Sequence, residues 1–418
     1  MFGMKFVVWL VLLFVVAVVA ATTLGSNDGL VTLYWRGWRT ELSLNLFVLL
    51  FLGGCVLLMS AWQALTSLVT LPRRAAEWRA LRRERAAHAA LREALTESFS
   101  GRYSRARKAA EKALALQRET PELADDGEFR VLGQLLAAGS LHRLQDRTRR
   151  DQLLKQIFAP GRRQMAPRSA EEGARLLAAE WALEDRDPER AQDMLQALPP
   201  GAARRMQALR LRLQAARLGR QPMEALQTAR LLANHQALSS VVAASLLRSL
   251  AFDVLDDAHD MQQLRRLWSQ LDAADRRDAH VAARAAQRAV QLGGADDARQ
   301  WLRPFWDRLA DLSADEREQV ALALLDACAG IGPDWLPRLE SAALAFAQEP
   351  AVIAAVGAAF ADRQLWGKAR LLLEEAAASP RLVSRTRRQC WRMLAALARE
   401  DSDEARAVRC EAAAATVD

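Results

Sequence analysis

Ala94-Leu-Thr-Glu-Ser-Phe-Ser-Gly-Arg-Tyr-Ser-Arg-Ala-Arg-Lys-Ala-Ala-Glu-Lys-Ala113 and Gly357-Ala-Ala-Phe-Ala-Asp-Arg-Gln-Leu-Trp-Gly-Lys-Ala-Arg-Leu-Leu-Leu-Glu-Glu-Ala376 align without a gap at an offset of 263. Ala94 falls on Gly357, Gly101 on Gln364, Tyr103 on Trp366, Ala106 on Ala369, Ala110 on Leu373 and Ala113 on Ala376, and Pro121 and Pro380 follow. Small residues where two helices cross, an aromatic at the turn and a proline where the second helix stops describe a helical hairpin. Such a unit cannot bury its apolar face alone and must stack on copies of itself.

The spacing and skeleton resemble tetratricopeptide repeats. Weaker copies fill the interval: the position of Ala106 recurs at Asp151, Ala191, Ala225, Leu264 and Ala298, near Leu339, and at Ala369. Successive intervals are 45, 40, 34, 39, 34, about 41 and about 30 residues, around the 34 usual for this repeat. Asp185–Ala191, Gly219–Ala225 and Gly293–Ala298 read as turns inside repeats. Seven or eight divergent repeats are expected, with a frayed tail around Ala413 and a plain helical bundle as the alternative architecture. Composition agrees. Over 418 residues, 51% are hydrophobic but only 6% aromatic, with 13 Pro and 20 Gly, which favours helices and disfavours a many-turned β protein. The fold class expected is all-α, an N-terminal transmembrane helical hairpin followed by an α-solenoid.

The membrane expectation rests on two apolar runs. Phe6 to Asn27 contains no charge, and Leu42–Leu71 is a second charge-free run of 30 residues. About 20 residues cross a 30 Å hydrocarbon core, so 1–71 reads as two spans, about 6–25 and 42–69, joined by a short loop. A signal peptide is the rival reading of the first run. Arg73, Arg74, Arg79, Arg82, Arg83 and Arg85 follow the second run, whereas the loop charges Asp28, Arg36, Arg39 and Glu41 cancel. Positive flanks stay cytoplasmic, so both termini and the repeats are expected inside and the loop outside. The same arginines suit anionic lipid headgroups as well as a topology signal. Tyr34, Trp35 and Trp38 sit where amphipathic rings favour the headgroup layer. Residues 72–120 read as a basic juxtamembrane helix leading into the first repeat, and 121–418 as the remaining repeats. Charge is confined to the former: Pro72–Arg118 holds 13 Lys+Arg and 5 Asp+Glu, which accounts for the whole net +8 of the chain. No nucleic-acid footprint is expected. Only 5 of 58 cations are Lys, a preference read as compositional drift.

The N-terminal third carries a more specific likeness. Asp28-Gly-Leu-Val-Thr-Leu, Trp38 and Glu41-Leu-Ser-Leu44 lie between the two apolar runs, and the Arg-rich stretch passes directly into Ala94, Gly101-Arg-Tyr103 and Ala106. This order resembles the HemY family of Gram-negative inner-membrane tetratricopeptide proteins, distinct from the flavin protoporphyrinogen oxidase that shares its name. The resemblance covers roughly residues 1–120, and Ser98-Phe-Ser departs from it before Gly101. It implies a non-enzymatic scaffold in haem (porphyrin) metabolism, at the bacterial inner membrane, with haem-biosynthesis enzymes as partners. The same architecture also serves tethered adaptors for envelope-protein or lipopolysaccharide assembly, and a haem or porphyrin carrier is a third reading.

Chemistry is sparse. No phosphate-cradling glycine motif, nucleophile elbow or HExxH pair is present, so no catalytic residue, metal site or cofactor is expected. Any of His88, His142, His235, His259 and His280 has the chemistry to ligate haem iron, a lone surface histidine being the ordinary reading. Cys55, Cys328, Cys390 and Cys410 form no CxxC pair. The repeat register puts Arg210, Gln214 and Arg217 on the groove face of one first helix, and Ser249, Asp253 and Asp256 on the next. The two patches suit a peptide or protein partner, or each other across the groove. Trp181, Trp268, Trp301 and Trp366 read as inter-repeat packing. The expected packing set is Ala94, Gly101, Tyr103, Ala106, Ala191, Ala225, Ala298, Gly357, Trp366, Ala369 and Ala376. The charge asymmetry around the second run makes topology testable: reporters fused after Gly29 should report outside, and after Arg85 or at Asp418 inside. An external Asp418 reporter would overturn the orientation.

Overall fold

A computed structural model describes residues 29–159, 168–235 and 239–417, with backbone alone for 66–77. The run expected to form the first span, about 6–25, lies outside these residues. Strands β1 (Leu30–Trp35) and β2 (Trp38–Ser43) pair antiparallel. The Ser43 hydroxyl accepts from the Leu46 N–H and caps helix α1. Helix α1 then runs from Leu44 to Phe99, 56 residues without interruption, about 84 Å at 1.5 Å per residue. Its first part, Leu44–Leu65, is the one stretch among the described residues long and apolar enough to cross a membrane, with mean hydropathy 2.3 and nothing buried. The same helix passes through the arginines and becomes the first helix of the first repeat.

Eighteen helices of nine residues or more follow one another two by two in chain order among the described residues. The first compact unit, ending at Leu153, pairs the end of α1 with α2 (Tyr103–Glu119) and holds α3 (Gly127–Arg143) and the start of α4 (Arg147–Ile157). Ala94 clusters there with Ala109, Ala110 and Ala137. The second unit, Leu154–Asp418, holds α5 (Arg168–Glu184) with α6 (Pro188–Gln196), α7 (Met206–Leu218) with α8 (Pro222–Asn234), and α9 (Ser240–Asp256) with α10 (Met261–Gln270). There follow α11 (Ala279–Gln291) with α12 (Ala295–Trp306), α13 (Ala314–Asp326) with α14 (Leu336–Ala345), α15 (Pro350–Asp362) with α16 (Trp366–Ala378), and α17 (Ser384–Glu400) with α18 (Glu404–Thr416). The described residues are thus all-α apart from the two short strands, and most of them form a run of tetratricopeptide-like hairpins.

One turn geometry builds most of these pairs. Gly101, Gln145, Arg186, Arg220, Gly293, Gln364 and Ser402 all have positive φ, each just past the end of a first helix. The next residue's N–H reaches back to the third-last helical carbonyl, as in Asp187 to Ala182 at 2.8 Å, Leu365 to Phe360 at 2.9 Å and Asp403 to Ala398 at 2.8 Å. This left-handed stop satisfies carbonyls the helix leaves open and reverses the chain in a fixed direction. Four residues after each of these N–H donors comes the residue that faces the partner helix. Ala106, Ala191, Ala225, Ala298 and Ala369 occupy that place and are 0% exposed. Gly357 faces back from α15, where a Cβ would lie 3.0 Å from Leu373.

Two sequence expectations change. The Ala106 position in the second repeat belongs to Arg150, not Asp151, because the turn donor there is Asp146. Arg150 is 1% exposed; its Nη1 lies 2.9 Å from His142 Nδ1, and its Nε donates to Asp151 at 2.8 Å. A buried guanidinium replaces the small residue, so neither size nor a Gly or Pro signalled the register. The chain end is also no frayed tail: α17 and α18 form a ninth pair, with Ala407 at 0% and Cys410 at 5% exposure. Ala407 stands at the Ala369 position, so Ala369→Trp and Ala407→Trp should both lower the melting temperature of the detergent-solubilised chain. Overpacking of this kind costs about 1–3 kcal/mol. A melt unchanged by Ala407→Trp would refute the ninth hairpin.

Candidate functional site

The groove residues sit on two successive first helices in matching register. Arg210, Gln214 and Arg217 of α7 and Ser249 and Asp253 of α9 are exposed, while Asp256 is half-buried. The two patches do not pair with each other. Asp256 instead receives Arg284 of α11 in a two-pronged contact, Nε at 2.9 Å and Nη2 at 2.5 Å. Arg210, Arg217 and Asp253 form no ion pair among the described residues, so two cations and an anion on neighbouring helices have their charges available.

Arg284 belongs to a ladder that sequence reasoning took for drift. Arg248 pairs with Asp278, Arg265 with Asp297, Arg317 with Glu349, Arg338 with Asp307 and Arg406 with Glu374, each across 28 to 32 residues of sequence. Arg288 donates to the Ala258 carbonyl and Arg299 to those of Ala327 and Ala329. A planar fork that reaches a carboxylate or turn carbonyl in the neighbouring hairpin is a use Lys serves poorly. The only signal in the sequence was the Arg:Lys ratio itself.

Further along, the groove side is filled. From Ala351 to Phe360 every residue of α15 is buried, and its stretch Ala-Val-Ile-Ala-Ala-Val-Gly-Ala-Ala-Phe has no polar face, the pattern of a helix surrounded by others. Asp326 at the end of α13 lies within electrostatic reach of Arg385 and Gln389 of α17. Asp326 keeps part of its surface in water, yet crowding of the carboxyl raises its pKa; Arg385 and the Gln389 hydrogen bond oppose the rise without cancelling it. A carboxyl raised in the folded state contributes stability below its unfolded pKa and loses it as pH rises through the folded value. Asp326→Asn should therefore raise the melting temperature near pH 7, the gain shrinking as pH falls through the ordinary carboxylate range. Equal melts at pH 7 would contradict the crowding.

The basic stretch on α1 divides by role. Arg83 Nη1 donates to the Glu119 carbonyl at 3.2 Å, tying α1 to the end of α2. Arg82 lies over the Trp78 ring at 5.3 Å. Arg79 has a partner of its own, Arg85 is exposed, and the side chains of Arg73 and Arg74 are outside the description. Of the packing set, Ala94, Ala106, Ala191, Ala225, Ala298, Ala369 and Ala376 are all 0% exposed. Gly101 makes the first left-handed turn at φ +73°, and Tyr103 and Trp366 open their second helices, partly exposed. Trp268 and Trp301 stack at 4.9 Å between α10 and α12, and Trp181 is buried.

Reactive chemistry is muted. Burial pushes the Cys390 thiol up to about 12 and raises Cys328 and Cys410 as well, so these thiols are poor nucleophiles. No group of three potential metal ligands occurs among the described residues. A depression between Gln196, Arg212, Glu224, Val254 and Leu267 is open and of mixed character, with no nucleophile beside a base.

Residues 29–143 match the family described as "HemY protein N-terminus", a span that opens at β1 and closes with α3. No curated protein matches the chain. Among solved structures, a chain of "Structure of Naa15/Naa10 bound to HypK-THB" is similar at 16% identity and a TM-score of 0.27, covering 78% of this chain and 52% of that one. The chain spans about half the length of that structure's chain. The profile match coincides with the hairpin, the long helix and the first repeat helices that set this N-terminal third apart, so the likeness to the HemY family is carried by those residues.

Proposed function

We propose that this protein is a membrane-anchored scaffold that gathers protein partners of haem (porphyrin) biosynthesis at the bacterial inner membrane, with two spans and a cytoplasmic repeat domain. The observation that carries the reading is α1: one helix joins an exposed apolar run of membrane-crossing length to the first repeat. A repeat array that offers unpaired charge on α7 and α9 supports binding rather than turnover. The HemY N-terminal match is what points to haem metabolism, and the arginines beside the apolar run support retention at an anionic bilayer. Tethering raises the effective concentration of partners that hand on a reactive intermediate, without adding a contact.

The test uses a deletion strain carrying three forms. A soluble form beginning near Glu77 should fail to restore porphyrin intermediates and haem, and re-anchoring it by a foreign transmembrane hairpin should restore them. Charge reversal at Arg210 and Arg217 should impair partner capture while leaving the melt unchanged. Full rescue by the soluble form would sink the tether, and normal porphyrins in the deletion strain would remove the haem assignment.

A further inference from the structure

The two-stranded hairpin is amphipathic, and much of its apolar face is exposed. Its register sets Leu30, Thr32 and Tyr34 opposite Ser43, Glu41 and Arg39, and Val31, Leu33 and Trp35 opposite Leu42, Thr40 and Trp38. Because successive strand residues point to opposite sides, the first set makes a polar face, on which Arg39 and Glu41 form an ion pair at 2.6 Å. The second set makes an apolar face whose only polar member is Thr40. Trp35 and Trp38 are each 79% exposed and Leu33 45%. The turn between them, Arg36 at φ 45° and Gly37 at φ 90°, is the two-residue reversal whose twist matches paired strands.

An isolated two-stranded hairpin is at best marginal in water, and needs a third strand or an apolar support. Among the described residues the hairpin has no such support beyond the start of α1. Its position says what supplies one. No residue separates Ser43 of β2 from Leu44 of α1, and the Leu44 N–H donates to the Gly29 carbonyl at 2.9 Å, which holds the hairpin base to the end of the apolar run. A six-residue strand is about 20 Å long, several times the depth of one headgroup layer. An upright hairpin would hold both indoles in water, whereas a flat one lays its whole apolar face on the bilayer. Indoles partition to that boundary with the ring in the acyl region and the N–H among headgroups. Arg36 at the turn can then reach lipid phosphates.

We infer that the hairpin Leu30–Ser43 lies flat on the bilayer surface at the end of α1 away from the repeats, with Val31, Leu33, Trp35, Trp38 and Leu42 in the acyl boundary and Arg39 and Glu41 towards water. The inference rests on the anchoring role proposed for α1 and adds a second, interfacial element to it.

The experiment keeps the full chain in phosphatidylethanolamine–phosphatidylglycerol bilayers. With Cys55→Ser, and with Cys328, Cys390 and Cys410 buried, single nitroxide labels are placed at Leu33→Cys and Trp35→Cys on one face and Thr32→Cys and Tyr34→Cys on the other. Thr40→Cys and Arg39→Cys repeat the comparison on β2 in case a label disturbs β1. Labels at 33, 35 and 40 should be several-fold more accessible to oxygen than to a water-soluble nickel chelate, and those at 32, 34 and 39 the reverse, alternating with period two. Water accessibility at all six positions would overturn the inference. So would immobile labels on the apolar face shielded from both reagents, which would place protein over it. Release of the unlabelled chain by alkaline carbonate would instead refute the anchor, so the two failures are distinguishable.

Discussion

In six of the hairpins the two helices meet where one of them has almost no side chain. Ala106, Ala191, Ala225, Ala298, Ala369 and Ala407 supply that absence on the second helices, and all are sealed from solvent. Gly357 shows the tolerance from the other side, since a single added carbon would press on Leu373. Interiors at this packing density do not absorb an extra methyl group quietly. The left-handed turns serve the same demand, because a fixed reversal delivers the slot residue to the crossing, an alanine after six of the seven turns and Arg150 after the other.

Close packing within a pair leaves the joints between pairs to other forces. Buried alanines bring little area per residue, roughly one methyl group each, and the exposed edges of the second unit are bridged by arginines. Most of these bridges are partly solvated, and such pairs contribute individually about 0–1 kcal/mol. Their effect is on geometry more than on depth of stability. A fork bound to a carboxylate one hairpin away restricts how far the neighbours can slide, and bridges from Arg248 to Arg406 repeat the restriction along the stack. Where the bridges meet a helix with no polar face, as at α15, the neighbours close around it.

The sequence was most informative where chemistry and position coincide. Gly101, Tyr103, Ala106 and their partners 263 residues on carried the hairpin, and the apolar run before Pro72 carried the long exposed stretch of α1. It was least informative where an unusual residue meets an ordinary geometric need. Gln145, Arg186, Gln364 and Ser402 take a left-handed conformation that glycine would announce, and Arg150 fills a slot that alanine would mark. The ninth pair stayed hidden because Ser402 gives no turn signal and the tail is rich in residues that also suit a fraying end. At the groove, exposure of Arg210, Gln214 and Arg217 follows from register. The capture of Asp256 by Arg284 does not, because it depends on how one hairpin is set against the next.

Helix α1 has a further consequence. A flexible linker would let the apolar run and the first repeat turn independently, and its length would matter little. A continuous helix makes the number of residues between them an angular setting: each residue added or removed between Leu65 and Ala87 turns the first repeat by about 100° and shifts it by about 1.5 Å. The azimuth at which the first repeat meets its surroundings is thereby phase-locked to the apolar run. In this stretch length behaves as a coordinate, and two chains that differ only in the count of these residues would turn different faces of the first repeat to whatever holds the apolar run.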